Sequence, residues 1–418
     1  MYPFDGTALK GPGNPSRVYS AARPRIAPAI WLLGLVSCFT DISSEMVASI
    51  LPVYLFVHLQ LSPFEFGVLD GLYQGVTAIA RLAAGIAADR WQRHKAAAIA
   101  GYGLSALCKL GLLVAGQTFG GVAAVLSLDR IGKGIRTAPR DALIALHSTR
   151  AALATSFGVH RALDAAGVVI GPLIAFLVLY EAPGSFDSVF VASFAAAIVG
   201  LAILVLFVDG KRAQAGRVAV PLRDLAAVCG HPSFRWIAVG GGIASIAVMS
   251  DAFLYLALAS RAGHAAGRIP LFYVVTACVF LALAIPLGRL ADRYGRARTF
   301  IGGHLLAVAV YAGTFLVMDT MTLVACLILH GAYYAATDGV LAALASDVLP
   351  AEGRATGLAA LATIISLGRL CSSVIIGLVW TSKGPEGAAV FAAIATLTAL
   401  LLTAPAFLKS ERTHGAPA

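Results

Sequence analysis

The sequence alternates between long apolar runs and short polar turns. Most runs approach or exceed the about 20 residues that a helix needs to cross the hydrocarbon core of a bilayer. A span must satisfy its own backbone polar groups, which favours helices. The pattern therefore predicts an all-α membrane protein with twelve transmembrane helices in two six-helix halves. The predicted spans lie near residues 29–57, 65–88, 96–116, 119–138, 152–180, 188–208, 234–259, 269–290, 298–317, 320–346, 355–380 and 387–408.

The composition agrees with a lipid environment. Of the 418 residues, 59% are hydrophobic and 12% are charged, whereas a soluble domain carries roughly 25% charged residues. A soluble protein this apolar would expose large apolar patches and aggregate. The strand alternation that an outer-membrane barrel needs is absent.

The formal net charge of +10 does not indicate a nucleic-acid partner, because most basic residues lie in short turns between apolar runs. This distribution follows the positive-inside rule. We therefore predict a multi-pass protein of the cell inner membrane with both termini in the cytoplasm. The basic residues assigned to the cytoplasmic side are Lys10, Arg17, Arg23, Arg25, Arg90, Arg93, Lys95, Arg140, Arg150, Lys211, Arg212, Arg217, Arg223, Arg293, Arg296, Arg298, Arg354, Lys409 and Arg412. Those on the opposite side are Arg261, Arg268 and Lys383.

An internal repeat supports the division into two halves. The repeated residues are Gly85, Asp89, Arg90 and Arg93 in the first copy and Gly288, Asp292, Arg293 and Arg296 in the second. The two aspartates lie 203 residues apart, and each copy follows the second predicted span of its half. The predicted organisation is a cytoplasmic tail (1–28), an N-terminal six-helix half (29–208), a cytoplasmic linker (209–233), a C-terminal six-helix half (234–408) and a second cytoplasmic tail (409–418). Parallel repeats of this kind are a known transporter plan, with the substrate site between the halves.

Over essentially its whole length the chain resembles the major facilitator superfamily of transporters. The loop motif G-x-x-x-D-R-x-G-R of that family is complete in the second copy, and the first copy has Gln92 in place of a glycine. The other matches are Arg130 and Gly134 to a fourth-span motif, and Gly167, Gly171 and Pro172 to the fifth-span motif G-x-x-x-G-P. The resemblance implies transport by alternating access. In the family, the fifth-span motif is associated with proton-coupled exporters.

The resemblance also implies gating roles. In the family, the loop aspartate closes the cytoplasmic side when the protein faces outward, so Asp89 and Asp292 are expected to contact nearby Arg residues or helix N-termini. Gly167 and Gly171 allow close helix approach, and Pro172 can kink its helix. A rocking pivot and plain helix packing both fit these three residues. The predicted gating set is Asp89, Arg90, Arg93, Asp292, Arg293, Arg296, Gly167, Gly171 and Pro172.

Charged residues inside spans are costly and indicate function. Asp41 and Glu45 share one face of the first span because they are four residues apart. Two close carboxylates repel, so one of them tends to bind a proton unless a cation compensates. Arg130 and Lys133 of the fourth span are the expected compensators, and a structural ion pair is the alternative to proton coupling. The residues predicted to carry proton coupling or substrate binding are Asp41, Glu45, Arg130, Lys133 and Asp164.

Other charged residues are assigned weaker roles. Arg136 and Arg140 are expected to snorkel to the membrane interface. Asp164, with His160 and Arg161, fits either an inner gate or a static network. The charged or titratable residues expected to be more isolated are Arg81, Lys109, Asp251, His330, Asp338 and Arg369. The N-terminal half is therefore the predicted location of coupling, and His330 fits a proton shuttle or a hydrogen-bonded wall residue.

Enzymatic and ATP-driven chemistry is not predicted. The sequence has no match to the phosphate-binding loop G-x-x-x-x-G-K-[ST], to H-E-x-x-H or to a nucleophile elbow. We predict no cofactor and no metal site. The predicted function is a secondary active transporter, an antiporter that exports a small molecule in exchange for protons. Its partners would be the small-molecule substrate, protons and the lipid bilayer, and the chain is expected to be a monomer. The alternatives are an importer of a metal ion or metal chelate, and a transporter-like membrane sensor that moves nothing.

We expect a reporter fused at residue 215 to lie in the cytoplasm, because the surrounding basic residues obey the positive-inside rule. Paired fusions of alkaline phosphatase, active outside, and green fluorescent protein, fluorescent inside, measure this directly. Phosphatase activity at residue 215 would contradict the predicted orientation.

Overall fold

The computed structural model describes residues 26–91, 94–115, 118–149, 152–210, 230–263, 266–316, 319–349 and 354–414, and no strand occurs within these ranges. The first helices are α1 (Pro28–Val53, continued by a π-helical turn, Tyr54–His58), α2 (Pro63–Trp91), α3 (His94–Val114), α4 (Phe119–His147), α5 (Leu153–Glu181) and α6 (Phe186–Phe207). The remaining helices are α7 (Pro232–Ala247), α8 (Asp251–Arg261), a 3-10 turn (Ala266–Arg268), α9 (Ile269–Tyr294), α10 (Arg296–Gly313), α11 (Thr320–Val348) and α12 (Arg354–His414). We call α1–α6 the N-terminal group and α7–α12 the C-terminal group.

The helices have the length and apolar character of membrane spans. Eight helical segments within the described ranges are long and apolar enough to cross a bilayer, which confirms an all-helical membrane protein. The count of twelve spans stays a prediction. One of the eight segments covers most of α12, which contains both predicted spans 355–380 and 387–408. The helix bends between them at Gly384, whose φ of 72° suits a residue without a Cβ. Most of the predicted linker, 209–233, lies outside the described residues.

The predicted span 234–259 is broken in the structure. Val248 and Ser250 adopt extended backbone angles, so α7 ends at Ala247 and α8 begins at Asp251. Backbone groups freed by a break inside a membrane need partners within the protein. Here the Met249 N–H donates to the Tyr311 hydroxyl at 3.1 Å. The Ser372 hydroxyl donates to the Val248 carbonyl at 2.5 Å. The break places Asp251 on the first turn of α8.

Close glycine contacts bring α5 against α1. A Cβ added at Gly167 would lie 2.6 Å from the carbonyl oxygen of Cys38, and one added at Gly171 would lie 2.6 Å from that of Ile42. Only a glycine lets two helix backbones approach this closely. The two groups meet mainly through α2 against α12 and α5 against α9.

Among the described residues, the two groups share a hydrophobic core at one end of the bundle only. There, one cluster contains buried residues of both groups, among them Tyr54, Phe66, Phe253 and Trp380. At the end where α1 begins, each group has its own cluster. One comprises residues between Ile30 and Val208, and the other residues between Phe234 and Phe407. The bundle is thus packed together at one end and divided at the other.

Aromatic rings close the packed end. The Phe66 and Phe253 centroids lie 4.8 Å apart, and Phe253 lies 5.3 Å from Trp380. Deeper in the same interface, the Ser373 hydroxyl of α12 donates to Asp70 Oδ2 of α2 at 2.5 Å. These contacts join the N-terminal group to the C-terminal group, and separating the groups at this end requires their loss.

We expect Gly171→Ala to lower the free energy of unfolding by about 1–3 kcal/mol, the usual effect of overpacking. The added Cβ would meet the Ile42 carbonyl oxygen at 2.6 Å and the Glu45 Cβ at 2.9 Å. Denaturant unfolding of the purified protein in detergent measures the change. Gly158→Ala on the same helix is the matched control, because nothing lies within 4 Å of its added Cβ. There the better helix propensity of alanine should leave stability unchanged or raised. Equal free energies of unfolding in the two variants would contradict the close packing of α5 against α1.

Candidate functional site

The carboxylates of α1 face α5. Asp41 and Glu45 lie beside the two glycines of α5, since a Cβ at Gly167 would be 3.0 Å from the Asp41 Cβ and one at Gly171 would be 2.9 Å from the Glu45 Cβ. Asp41 and Glu45 are both half-buried. The close approach of α5 therefore shapes the surroundings of both acids.

Two cations of α4 lie near Asp41. Arg136 Nη2 lies 3.8 Å from Asp41 Oδ1, and its guanidinium sits 4.7 Å from the centre of the Tyr102 ring. Lys133, one of the two expected compensators, also interacts electrostatically with Asp41. The expectation that Arg136 and Arg140 snorkel to the interface is wrong: the side chains are only 2% and 11% exposed. The reason is that α4 continues to His147 instead of ending near residue 138, so both arginines lie within the bundle.

Asp164 of α5 joins the same cluster. The Ser37 hydroxyl donates to Asp164, and Arg140 Nη1 donates to the Ser37 oxygen at 3.2 Å. His160 Nε2 lies 4.0 Å from Asp164 Oδ1. Asp164 and Asp41 are neighbours across the α1–α5 contact, because Ser37 lies one turn before Asp41 on α1 and a Cβ at Gly167, one turn after Asp164, would be 3.0 Å from the Asp41 Cβ. Two carboxylates this close repel each other when both are charged.

Arg130 has a different partner from the one expected. Its Nε donates to Asp129 Oδ2 at 2.9 Å, and its Nη2 contacts the same oxygen. Its guanidinium lies 3.8 Å from the centre of the Tyr73 ring. Asp129 also accepts from Lys109 Nζ at 2.7 Å and from the Ser105 hydroxyl at 2.6 Å. Arg130 therefore pairs with its own neighbour, Asp129, and not with the acids of α1. Lys109, which was expected to be more isolated, pairs with the same aspartate.

Lys133 and Glu45 have less direct partners. Neither forms a hydrogen bond through its side chain or an ion pair within 4 Å among the described residues, and both are half-buried. They interact electrostatically with each other and with the Arg130 guanidinium. Of the five predicted coupling residues, the structure thus places Asp41 and Asp164 in one cluster and leaves Glu45 and Lys133 near them. Arg130 is bound in a separate network.

A second polar cluster lies in the C-terminal group, at the break between α7 and α8. Asp251 Oδ1 accepts from His330 Nε2 at 2.9 Å and from the Tyr334 hydroxyl at 2.7 Å. His330 is fully buried and Asp251 is 29% exposed. The expectation of isolated residues here is wrong. The available signal was the four-residue spacing of His330 and Tyr334, which places both on one face of α11.

Asp251 borders an open cleft. Its polar or charged lining residues are Gln74, Ser245, Ser250, Asp251, His304, Tyr333, Tyr334, Thr337, Asp338 and Arg369. Arg369 Nη2 lies 3.8 Å from Asp338 Oδ1, and both side chains are exposed to the cleft by more than a third. Gln74 of α2 is the one lining residue from the described part of the N-terminal group. A concave site that combines apolar walls with a few polar groups is typical of small-molecule binding.

The second loop motif forms an ion network. Arg296 Nη2 lies 3.0 Å from Asp292 Oδ1, and its Nη1 contacts Asp347. Arg293 lies over the Tyr294 ring, 5.3 Å from its centre. The contact expected of Asp292 with a nearby arginine is therefore present. For the first copy of the loop motif, the structure describes neither Arg93 nor the side chains of Asp89 and Arg90.

We expect Asp129→Asn to lower the free energy of unfolding by about 3–5 kcal/mol, because Lys109 and Arg130 would stay buried without their carboxylate. Denaturant unfolding in detergent measures the effect. The matched control is Asp187→Asn on the first turn of α6, where the carboxylate is exposed and its loss costs about 1 kcal/mol at most. Similar losses in the two variants would show that the network around Asp129 does not hold the N-terminal group together.

Comparisons with known proteins identify the family. The model of the Major Facilitator Superfamily matches residues 33–320 and 243–418. An uncharacterized MFS-type transporter of Methanocaldococcus jannaschii is 29% identical over 388 residues, which are 89% of this chain and 94% of that protein.

Two solved structures share the fold. The nucleoside transporter NupG is similar with a TM-score of 0.74 and 14% identity, covering 92% of this chain and 99% of that one. A POT family transporter in complex with a thioalcohol-conjugated peptide is similar with a TM-score of 0.76 and 13% identity, covering 89% of this chain and 95% of that one. At this identity the likeness concerns the fold alone. With the family model matching nearly the whole chain, the protein belongs to the major facilitator superfamily and is a membrane-embedded secondary transporter, not an enzyme.

Proposed function

We propose that this chain exports a small molecule in exchange for protons, and that the carboxyl pair of Asp41 and Asp164 is its proton site. The observation that carries the proposal is the position of the two acids in one cluster, where Ser37, one turn before Asp41 on α1, donates to Asp164 of α5. Two carboxylates this close repel each other when both are charged, so a proton on one of them stabilises the pair. Ser37 and Arg136 then fix the geometry of the pair.

Alternating access links this proton to transport. With both termini in the cytoplasm, the packed aromatic end is the outer end and the divided end faces inward. In an outward-facing state, the rings of Phe66 and Phe253 are separated, and water reaches the polar residues of the N-terminal group from the outer side. A change of hydration alters the relative cost of the charged and neutral carboxyl groups. The proton is then released on the side where the charged carboxylate has the lower free energy.

The remaining predicted residues have supporting roles in this proposal. Glu45 and Lys133, whose side chains form no hydrogen bond or close ion pair with any described residue, are available to the proton or substrate in the opposite state. Gly167, Gly171 and Pro172 form the pivot between α1 and α5, and the loop residues from Asp89 to Arg93 and from Asp292 to Arg296 close the inner side. The match to the fifth-span motif supports export, because the family associates that motif with proton-driven exporters.

The test is a transport assay in proteoliposomes with an imposed pH gradient and a panel of radiolabelled amines, carboxylates, nucleosides and sugars. We expect at least one compound to accumulate against its gradient, with protons moving the opposite way as reported by a trapped pH dye. Asp41→Asn and Asp164→Asn should each abolish gradient-driven accumulation, since an amide cannot carry the exchanged proton. Movement of substrate down its own gradient should survive. The matched control is again Asp187→Asn, which should transport at the wild-type rate.

Three outcomes would overturn the proposal. Accumulation at the wild-type rate in both acid variants would place the coupling site elsewhere. Protons and substrate moving in the same direction would make the chain an importer. Absence of flux for the whole panel, with correctly inserted protein, would favour a sensor that moves nothing.

A further inference from the structure

The carboxylate of Asp251 is only partly satisfied by the protein. Both of its described hydrogen bonds, from His330 and from Tyr334, end on Oδ1. No described residue donates to Oδ2, and the side chain is 29% exposed where it borders the cleft. A carboxylate oxygen without a donor is costly at a cleft wall inside a membrane protein. Asp251 Oδ2 is therefore an acceptor that a bound ligand can satisfy.

His330 binds only one oxygen of this carboxylate. Its Nε2 lies 2.9 Å from Asp251 Oδ1, whereas its Nδ1 is buried and has no hydrogen-bond partner among the described residues. Asp251 therefore faces the cleft with Oδ1 held by His330 and Tyr334 and with Oδ2 open to a donor.

Two other charged residues line the described part of the cleft. Arg369 and Asp338 lie 3.8 Å apart on facing helices, and Arg369 also interacts electrostatically with Asp251. His304 is buried, and its Nδ1 contacts the Phe300 carbonyl oxygen at 3.0 Å. Among the described lining residues, the two carboxylates, Asp251 and Asp338, thus outnumber the one arginine.

Aromatic rings stand next to the Asp251 carboxylate. Tyr333 and Tyr334 line the cleft with their centroids 5.0 Å apart. The hydroxyl of Tyr334 is bound to Asp251, which holds its ring beside the carboxylate. A carboxylate beside aromatic rings is a combination that recognises an ammonium group, through a charged hydrogen bond and cation–π attraction.

We propose that this cleft is the substrate site and that it takes a small organic cation, a protonated amine on an apolar body. The amine N–H donates to Asp251 Oδ2, and Tyr333 and Tyr334 flank the positive charge. The apolar body lies against Phe300, Leu341 and Ile365, which also line the cleft. The inference deepens the proposed function and rests on it, since it names the class of molecule exported.

Equilibrium binding to the purified full-length protein in detergent tests this inference. The probes are 2-phenylethylamine and tryptamine, which are cations at neutral pH, with 2-phenylethanol as the neutral match and 3-phenylpropanoate as the anionic match. We expect both amines to bind about tenfold or more tightly than the neutral and anionic matches, the effect of one hydrogen bond to a charged group. Asp251→Asn should remove that preference.

Two further variants separate a local effect from misfolding. Tyr334→Phe keeps the Asp251 charge but removes one of its two fixed donors, so amine affinity should fall by less than in Asp251→Asn. Asp187→Asn should bind as the wild type does, and size-exclusion profiles check that all variants are folded. Anion binding as tight as amine binding, unchanged amine affinity in Asp251→Asn, or binding of no probe would each overturn the inference. The assay has no membrane and no gradient, so its failure is distinct from a failure of proton coupling in vesicles.

Discussion

The absence of water in the hydrocarbon region is the constraint on which this structure depends. A charge buried there must find a partner inside the protein, because a lone ion is too costly to bury. Asp129 binds cations from two helices, Asp41 faces Arg136 and Asp251 is held by His330. Each pairing also fixes the relative positions of its helices. The polar networks thus hold the bundle in register, and their incompletely satisfied members, Asp41 with Asp164 and Asp251, are where a proton or ligand has reason to bind.

Much of the fold follows from the apolar runs alone. Their lengths fix helices at nearly all the predicted places, and the internal repeat and family motifs indicate a transporter. The pairing of the charges does not follow. Arg130 and Arg136 lie on the same helix, and which of them meets Asp41 depends on the rotation of α4 and on where it ends. A sequence gives the position of a residue along its helix to within about one turn. Whether two charged groups form an ion pair depends on a distance of a few ångströms between side chains on neighbouring helices.

The site at Asp251 was missed for a related reason. Residues 234–259 form one continuous apolar run, so periodicity predicts one helix. The break at 248–250 is stabilised by groups remote in sequence: the Tyr311 hydroxyl and the Ser372 hydroxyl satisfy the freed backbone. Tertiary contacts of this kind override local propensity and leave no periodic signal. A discontinuous helix next to a charged residue is nevertheless a recurrent feature of transporter binding sites, so the break and the cleft belong together physically.

Helix α2 connects the two polar regions. Within five consecutive residues, Asp70 binds Ser373 of α12, Tyr73 lies under Arg130 and Gln74 lines the cleft beside Asp251. A helix of this length moves as a unit, so any displacement of α2 against α12 breaks the Asp70 bond and changes the cleft wall in one motion. It also shifts the ring that supports Arg130. In the proposed cycle, a ligand in the cleft therefore acts on the N-terminal group through differential contacts with α2 in its two positions, which is the thermodynamic requirement for coupling. The proposed proton site on α1 and α5 belongs to the same N-terminal group, so in this cycle the substrate and the proton would bias one shared motion without direct contact.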